Sequence, residues 1–407
     1  MMKKHAFHFA WLRVCGVLCA AVLYVCSVQA PAGAAGIVVP DPTEKLAMPE
    51  PVAGAVEALL QAALSGGPVE QAQLDTVLDF CAEHAMGTGS RVLPSRPEGE
   101  GVFYYRPMPV SLTDLMSYTL NPKAPGAALY PNSVRRSVWK GGSLLKTWQE
   151  FSAELPPQVA ITAHGQEYEQ ITPDETSGSY YGYTLKRLFA LAPVNSGKAG
   201  NAALFMVSVQ DGESEKGLKG AIIGDDNEWN YVYTGVPGST LPMVGWAETH
   251  IYSTATITLW VEPEPGASYV YVLKWLKAGW NGMNVVKTSH INTGITRYLS
   301  GMEKVLGSAK RPSVKELTAR AAELASMSDA DQIAALDGYS RELEQLAKKH
   351  SVTGGDFDKV LKDGSYGSHL TREERESELI KLFVKAKLGM PVPDGVTGDA
   401  PDGEASE

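Results

Sequence analysis

Cysteine is scarce in this 407-residue chain: three of the four, Cys15, Cys19 and Cys26, fall in one N-terminal apolar segment, leaving Cys81 alone beyond it. If that segment is removed, an intramolecular disulfide is excluded. The remaining chain of about 370 residues is long enough to build a core without one. Basic charge is also in deficit, with 36 Lys and Arg against 46 Asp and Glu and a net charge of −10. That balance argues against nucleic acid or an anionic membrane surface as a partner.

Motifs for cofactors and metals are missing as well. The Gly87-Thr88-Gly89 run has no Lys-Ser/Thr ending and no strand before it, so it is not a phosphate loop. Asp225, Asp226, Asn227 and Glu228 lack the long alternating loop of an EF-hand and read as a hairpin turn. No repeat recurs at a fixed period. Neither a cofactor nor a metal is expected.

One long apolar run is present, from Val14 to Cys26, preceded by Lys3, Lys4 and Arg13 and followed by Ala30, Ala32 and Ala34. This order is that of a secretory signal spanning residues 1–34 and cut after Ala34, which sends the protein to the periplasm or the extracellular space. A membrane partner is expected only if the segment is left uncleaved or Cys26 is lipidated. The run is short for a span, and Val25 is bulky where lipidation wants a small residue. Without Lys3, Lys4 and Arg13 the chain is more acidic still.

Residues 35–51 carry Pro40, Pro42, Pro49 and Pro51 and read as a linker. A mixed region follows over 52–157 and opens with two helices: one over 52–63, and one after Pro68 with Leu74, Val77, Leu78 and Cys81 on one face. Residues 158–287 switch to period two, with strands rich in β-branched and aromatic residues. Their short turns join antiparallel neighbours, predicting a sandwich or open barrel. Residues 288–390 are helical. The first helix, over 289–306, carries Ile291, Ile295, Tyr298, Met302 and Val305 as a stripe to be buried on the sheet. Residues 391–407 are an acidic tail with the composition of disorder. The predicted class is α+β, with an N-terminal helical pair, a central mostly antiparallel sheet and a C-terminal helical region.

Three sets of residues offer chemistry. In a continuous strand over 246–261, Trp246, Glu248, His250, Tyr252, Thr254, Thr256, Thr258 and Trp260 share a face. Glu248 and His250 then form a carboxylate–imidazole pair suited to acid–base work or to two ligands of a metal, with His164 or His290 as a third. Against this, such a pair is also what a hydrogen-bonded sheet face looks like. Cys81 and His84 lie at i and i+3, the geometry of an activated thiolate, yet Cys81 sits on an apolar stripe, where a cysteine is an inert hydrophobe. The aromatics Trp229, Tyr231, Tyr233, Trp246 and Tyr252 suit either ligand stacking or cross-strand packing. The basic pairs Arg135-Arg136 and Lys186-Arg187 read as solvated surface.

No catalytic set is complete. The expectation is a non-enzymatic exported protein that binds a small ligand or a protein partner through an aromatic-rich β region. The alternatives are an exported hydrolase or metal enzyme using Glu248 and His250, or a helical scaffold for another protein. With a signal cut after Ala34, the protein recovered after export starts at Ala35. Intact-mass measurement gives that start site directly, and a retained segment or added acyl mass contradicts it.

Overall fold

The computed structural model describes residues 39–153, 157–194, 202–241 and 245–393. The expected signal at 1–34, Cys26 included, lies outside them, as does most of the acidic tail.

The described strands are β1 (Gly89–Arg96), β2 (Gly99–Met108), β3 (Val134–Gly141), β4 (Ile161–Ile171), β5 (Ser179–Tyr180), β6 (Gly182–Pro193), β7 (Ala202–Gln210), β8 (Leu218–Ile222), β9 (Tyr231–Pro237), β10 (Ser239–Leu241), β11 (Gly245–Ala247), β12 (His250–Glu264), β13 (Ala267–Trp280) and β14 (Met283–Asn284). The helices are α1 (Glu50–Ser65), α2 (Gln71–His84), α3 (Leu112–Thr119), α4 (Gly126–Leu129), α5 (Leu144–Ala153), α6 (Thr288–Leu306), α7 (Val314–Ser326), α8 (Asp329–Lys349), α9 (Gly355–Leu361), α10 (Tyr366–His369) and α11 (Arg372–Lys387).

The protein is α+β. Nine strands form one sheet in the order β1-β2-β13-β12-β7-β6-β4-β3, with β14 on the end of β13, and all its strand pairs are antiparallel. Three of its strands, β1 to β3, come from the region before residue 158, where the sequence pattern predicts a single strand, over 102–106. Smaller sheets are formed by β10–β11 and β5–β8–β9.

Period two sorts the faces of the large sheet. Phe103, Phe205, Ile257, Leu273 and Trp275 meet Val56, Leu59, Val77 and Cys81 of the N-terminal helical pair. Tyr104, Trp260 and Val270 point the other way, toward α6 and the C-terminal helices. Helix caps are made at Ser111, Ser313, Ser328 and Thr371, each side chain accepting from the backbone N–H three residues on.

The strand expected over 246–261 is interrupted. Residues 245–247 form β11, while Gly217 N–H donates to Thr249 O and Ser214 N–H to Ile251 O, so a neighbouring segment takes the backbone there. The register of β12 against β13 also shifts between Ile251 and Ser253. A bulge of this kind reverses the alternation locally, so Ile251 ends up on the same side as Thr254, Thr256 and Thr258.

Helix α6 docks on the sheet as its stripe requires, and its polar side is pinned at three positions. Arg297 donates from Nε and Nη2 to the two carboxylate oxygens of Asp226, both at 2.8 Å. Lys304 Nζ donates to Asn227 O at 2.7 Å. Between them Gly301 passes so close to Asn132 that an added Cβ would stand 2.4 Å from its Oδ1. The acidic turn is a hairpin turn between β8 and β9, and its work is structural: Asp226 also accepts from Tyr231 Oη at 2.8 Å and Asn132 Nδ2 at 3.1 Å.

Burial pushes the Asp226 carboxyl up, but Arg297, Tyr231 and Asn132 outweigh it and hold the group below its ordinary value of 3.8. A depressed carboxylate stabilises the fold above its unfolded pKa and loses that contribution as pH falls through its folded pKa. Arg297→Ala is expected to cost about 3 kcal/mol near pH 7 by orphaning a largely buried carboxylate. In urea melts the gap to wild type narrows below about pH 4.

A cavity between the sheet and helix α6

Part of the space between the N-terminal half of α6 and the sheet is open. Beneath it the sheet carries short side chains, Thr254, Thr256 and Thr258 on β12 and Ser208 on β7, which cannot reach the helix. The result is a cavity of about 530 Å³. Its walls are mostly apolar: Ile291, Ile295 and Leu299 on α6, Val272 and Leu276 on β13, and Met206 on β7. Both volume and lining are those of small-molecule sites, which run from roughly 300 to 1,000 Å³ and are apolar with a few placed polar groups.

The polar groups form one row across the floor. Lys274 pairs in register with Thr256, Thr256 with Ser208, and Ser208 with Arg187. At one end Arg187 is fully matched: its Nε is 2.6 Å from Glu167, and its Nη2 donates to Glu169. Burial pushes the Glu167 carboxyl up against the pull of Arg187, with Glu169 adding to the rise. At the other end Lys274 Nζ donates to Thr254 Oγ1 at 3.2 Å and Thr256 Oγ1 at 3.1 Å. Among the described residues no carboxylate stands within ion-pair distance of it. Tyr183 also faces the cavity, its hydroxyl held in the neutral form by burial and by Glu169.

Of the titratable residues singled out from sequence, His290 lines the cavity, while Glu248, His250, Cys81 and His84 lie elsewhere. Glu248 is exposed and pairs with Lys216 at 2.9 Å, while His250 Nδ1 is 2.9 Å from Glu213, so each has its own partner. Cys81 is completely buried against Leu74, Val77 and Leu78, and burial drives its thiol far above the ordinary range. His84 Nδ1 bonds Phe80 O at 2.9 Å.

Trp229, Tyr231 and Tyr233 are packed inside the core. Arg135 stacks over Tyr233 at 3.7 Å and Lys381 over Tyr231 at 5.2 Å. Trp246 is 43% exposed beneath Lys219, and Tyr252 stacks on His250 and accepts from Gly282 N–H. None of these five aromatics lines the cavity; Tyr181, Tyr183, Trp280 and Tyr298 do.

Of the basic residues whose sequence context reads as surface, Arg135 is buried and Arg187 is 12% exposed at its side chain. Arg135 pairs with Glu374 at 2.9 Å, and Arg187 sits in its carboxylate clamp. Both lie on strands with inward-facing positions, and neither adjacent-pair composition nor net charge reveals that.

Lys274 does carry a sequence signal. On β13 it alternates with Val270, Val272 and Leu276, a lysine in a row of core positions. Among the described residues no group of three or more His, Cys, Asp or Glu is arranged to hold a metal ion. Neither the family models nor the curated proteins searched give a match to this chain.

Burial draws the Lys274 ammonium down to about 8, with Glu169 opposing and Arg187 adding to the fall. Because the folded value lies below the unfolded 10.5, the charge penalises folding fully below about pH 8. That penalty fades as pH climbs to about 10.5. Lys274→Met is therefore expected to stabilise the ligand-free protein at pH 7 by up to about 3 kcal/mol. Melting curves measured across pH 7 to 11 should converge with wild type at the alkaline end.

Proposed function

We propose that this is an exported, non-enzymatic protein that binds a small, largely apolar molecule in the cavity under α6. The observation that carries the reading is the cavity itself: about 530 Å³ of apolar-walled space with a short polar row on its floor. The acidic composition and the N-terminal segment support export and speak against nucleic acid. Among the described residues no helix is long and apolar enough to cross a membrane.

The chemistry of the floor favours binding over hydrolysis. Thr256 bonded to Lys274 has the geometry of a nucleophile with its base. Yet it lies mid-sheet between β7 and β13, where the backbone N–H groups serve the ladder and none is free to form an oxyanion hole. Glu248 and His250, the acid–base pair of the hydrolase alternative, have separate surface partners.

A neutral apolar fluorophore, N-phenyl-1-naphthylamine, tests the proposal. The wild-type protein is expected to bind it with a blue-shifted, enhanced emission. Ser208→Phe, which fills the floor, is expected to weaken binding at least about tenfold while circular dichroism stays that of the folded chain. No binding by wild type, or equal binding by the filled variant, refutes the cavity as a ligand site.

A further inference from the structure

Of the lysine and arginine side chains lining the cavity, only one lacks an ion-pair partner among the described residues. Arg187 has two carboxylates, and Arg297 has Asp226. Lys274 has two threonine hydroxyls, which use two of its three N–H donors and supply no negative charge. Enclosing an ammonium in protein without a counter-charge is costly unless something repays it, and here the third donor borders open space. That space continues into an apolar region bounded by Val272, Leu276, Ile291 and Ile295. A cation at one side and hydrocarbon beyond is the complement of a molecule with a single anionic head and an apolar body.

We infer that the ligand is an apolar monocarboxylic acid whose carboxylate pairs with Lys274 between Thr254 and Thr256, its hydrocarbon lying under α6. This rests on the binding reading above and adds the chemical class. The two threonines hold the ammonium in place; Thr254 Oγ1 donates its own proton to Trp275 O at 3.0 Å, so it is the Thr256 hydroxyl that can turn its proton toward a carboxylate oxygen. Of the neighbouring carboxylates, Glu167 and Glu169 make their direct contacts with Arg187, and Glu169 acts on Lys274 only from beyond ion-pair distance. An apolar diacid or a phosphate ester fits less well: Lys274 is the one cation free on the floor among the described residues, and a second negative charge would be left without a partner.

Dodecanoic acid, its methyl ester and dodecan-1-ol distinguish the head group at constant tail. Calorimetric titration of the wild-type protein at pH 7 is expected to show the acid binding roughly tenfold or more tightly than either neutral analogue. In Lys274→Met that preference should vanish while the ester and alcohol still bind, and their retained binding shows that the variant is folded. Thr256→Val should reduce the preference without abolishing it. Equal affinity for all three in wild type, or a preference that survives Lys274→Met, overturns the carboxylate assignment and leaves the cavity standing as a site for neutral ligands. Binding of the neutral fluorophore with no binding of any of the three overturns the assignment alone, whereas failure of fluorophore and all three removes the cavity reading too.

Discussion

The two-toothed ion pair of Arg297 with Asp226 decides where helix α6 runs, and the cavity follows from that. An apolar helix left to itself would settle onto the sheet along its whole length, since each methylene removed from water contributes about 0.8 kcal/mol. Here the C-terminal half does settle, with Met302, Val305 and Leu306 in the core and Glu303 paired to the buried Arg106 at 2.7 Å. Arg297, Gly301 and Lys304 then tie the opposite side of the helix to the β8–β9 turn and Asn132. Held from both sides, the helix keeps its course over a floor whose side chains are too short to meet it.

The floor handles charge in two different ways. Arg187 between Glu167 and Glu169 is a closed arrangement, every partner supplied by the chain itself, so it serves the structure of the sheet. Lys274 between two hydroxyls is open. Coulombic attraction in an enclosed site is several-fold stronger than in water, so one anion entering there gains far more from Lys274 than it would from a surface lysine. This contrast, rather than any residue type alone, separates the binding end of the row from the structural end.

Parts of this site are legible in the amino-acid pattern. Thr254, Thr256 and Thr258 share a face by alternation, and Ile291, Ile295 and Tyr298 share one by helical spacing; both sets line the cavity. Lys274 shows there only as a lysine in a row of core positions, and a row of that kind is equally consistent with a strand edge. Ile251 changes sides through a bulge that period two cannot foresee. The dense aromatics Trp229, Tyr231 and Tyr233 point to a binding face by composition, whereas the rings of the two tyrosines are held in the core by Arg135, Lys381 and each other, and Lys304 lies over that of Trp229.

By itself the sequence determined the local elements. Caps at Ser111, Ser313, Ser328 and Thr371, apolar stripes on α1, α2 and α6, and the antiparallel run after residue 158 all follow from interactions a few residues long. Cys81, isolated on an apolar stripe, is readable as a buried thiol for the same reason. Only the tertiary structure decided that β1, β2 and β3 join the same sheet, that Arg135 is buried and Arg187 nearly so, and that Lys274, Thr256 and Ser208 line up beneath α6. Those outcomes depend on strand order and on which faces meet, and they bring together residues dozens of positions apart for which the chain carries no local signal.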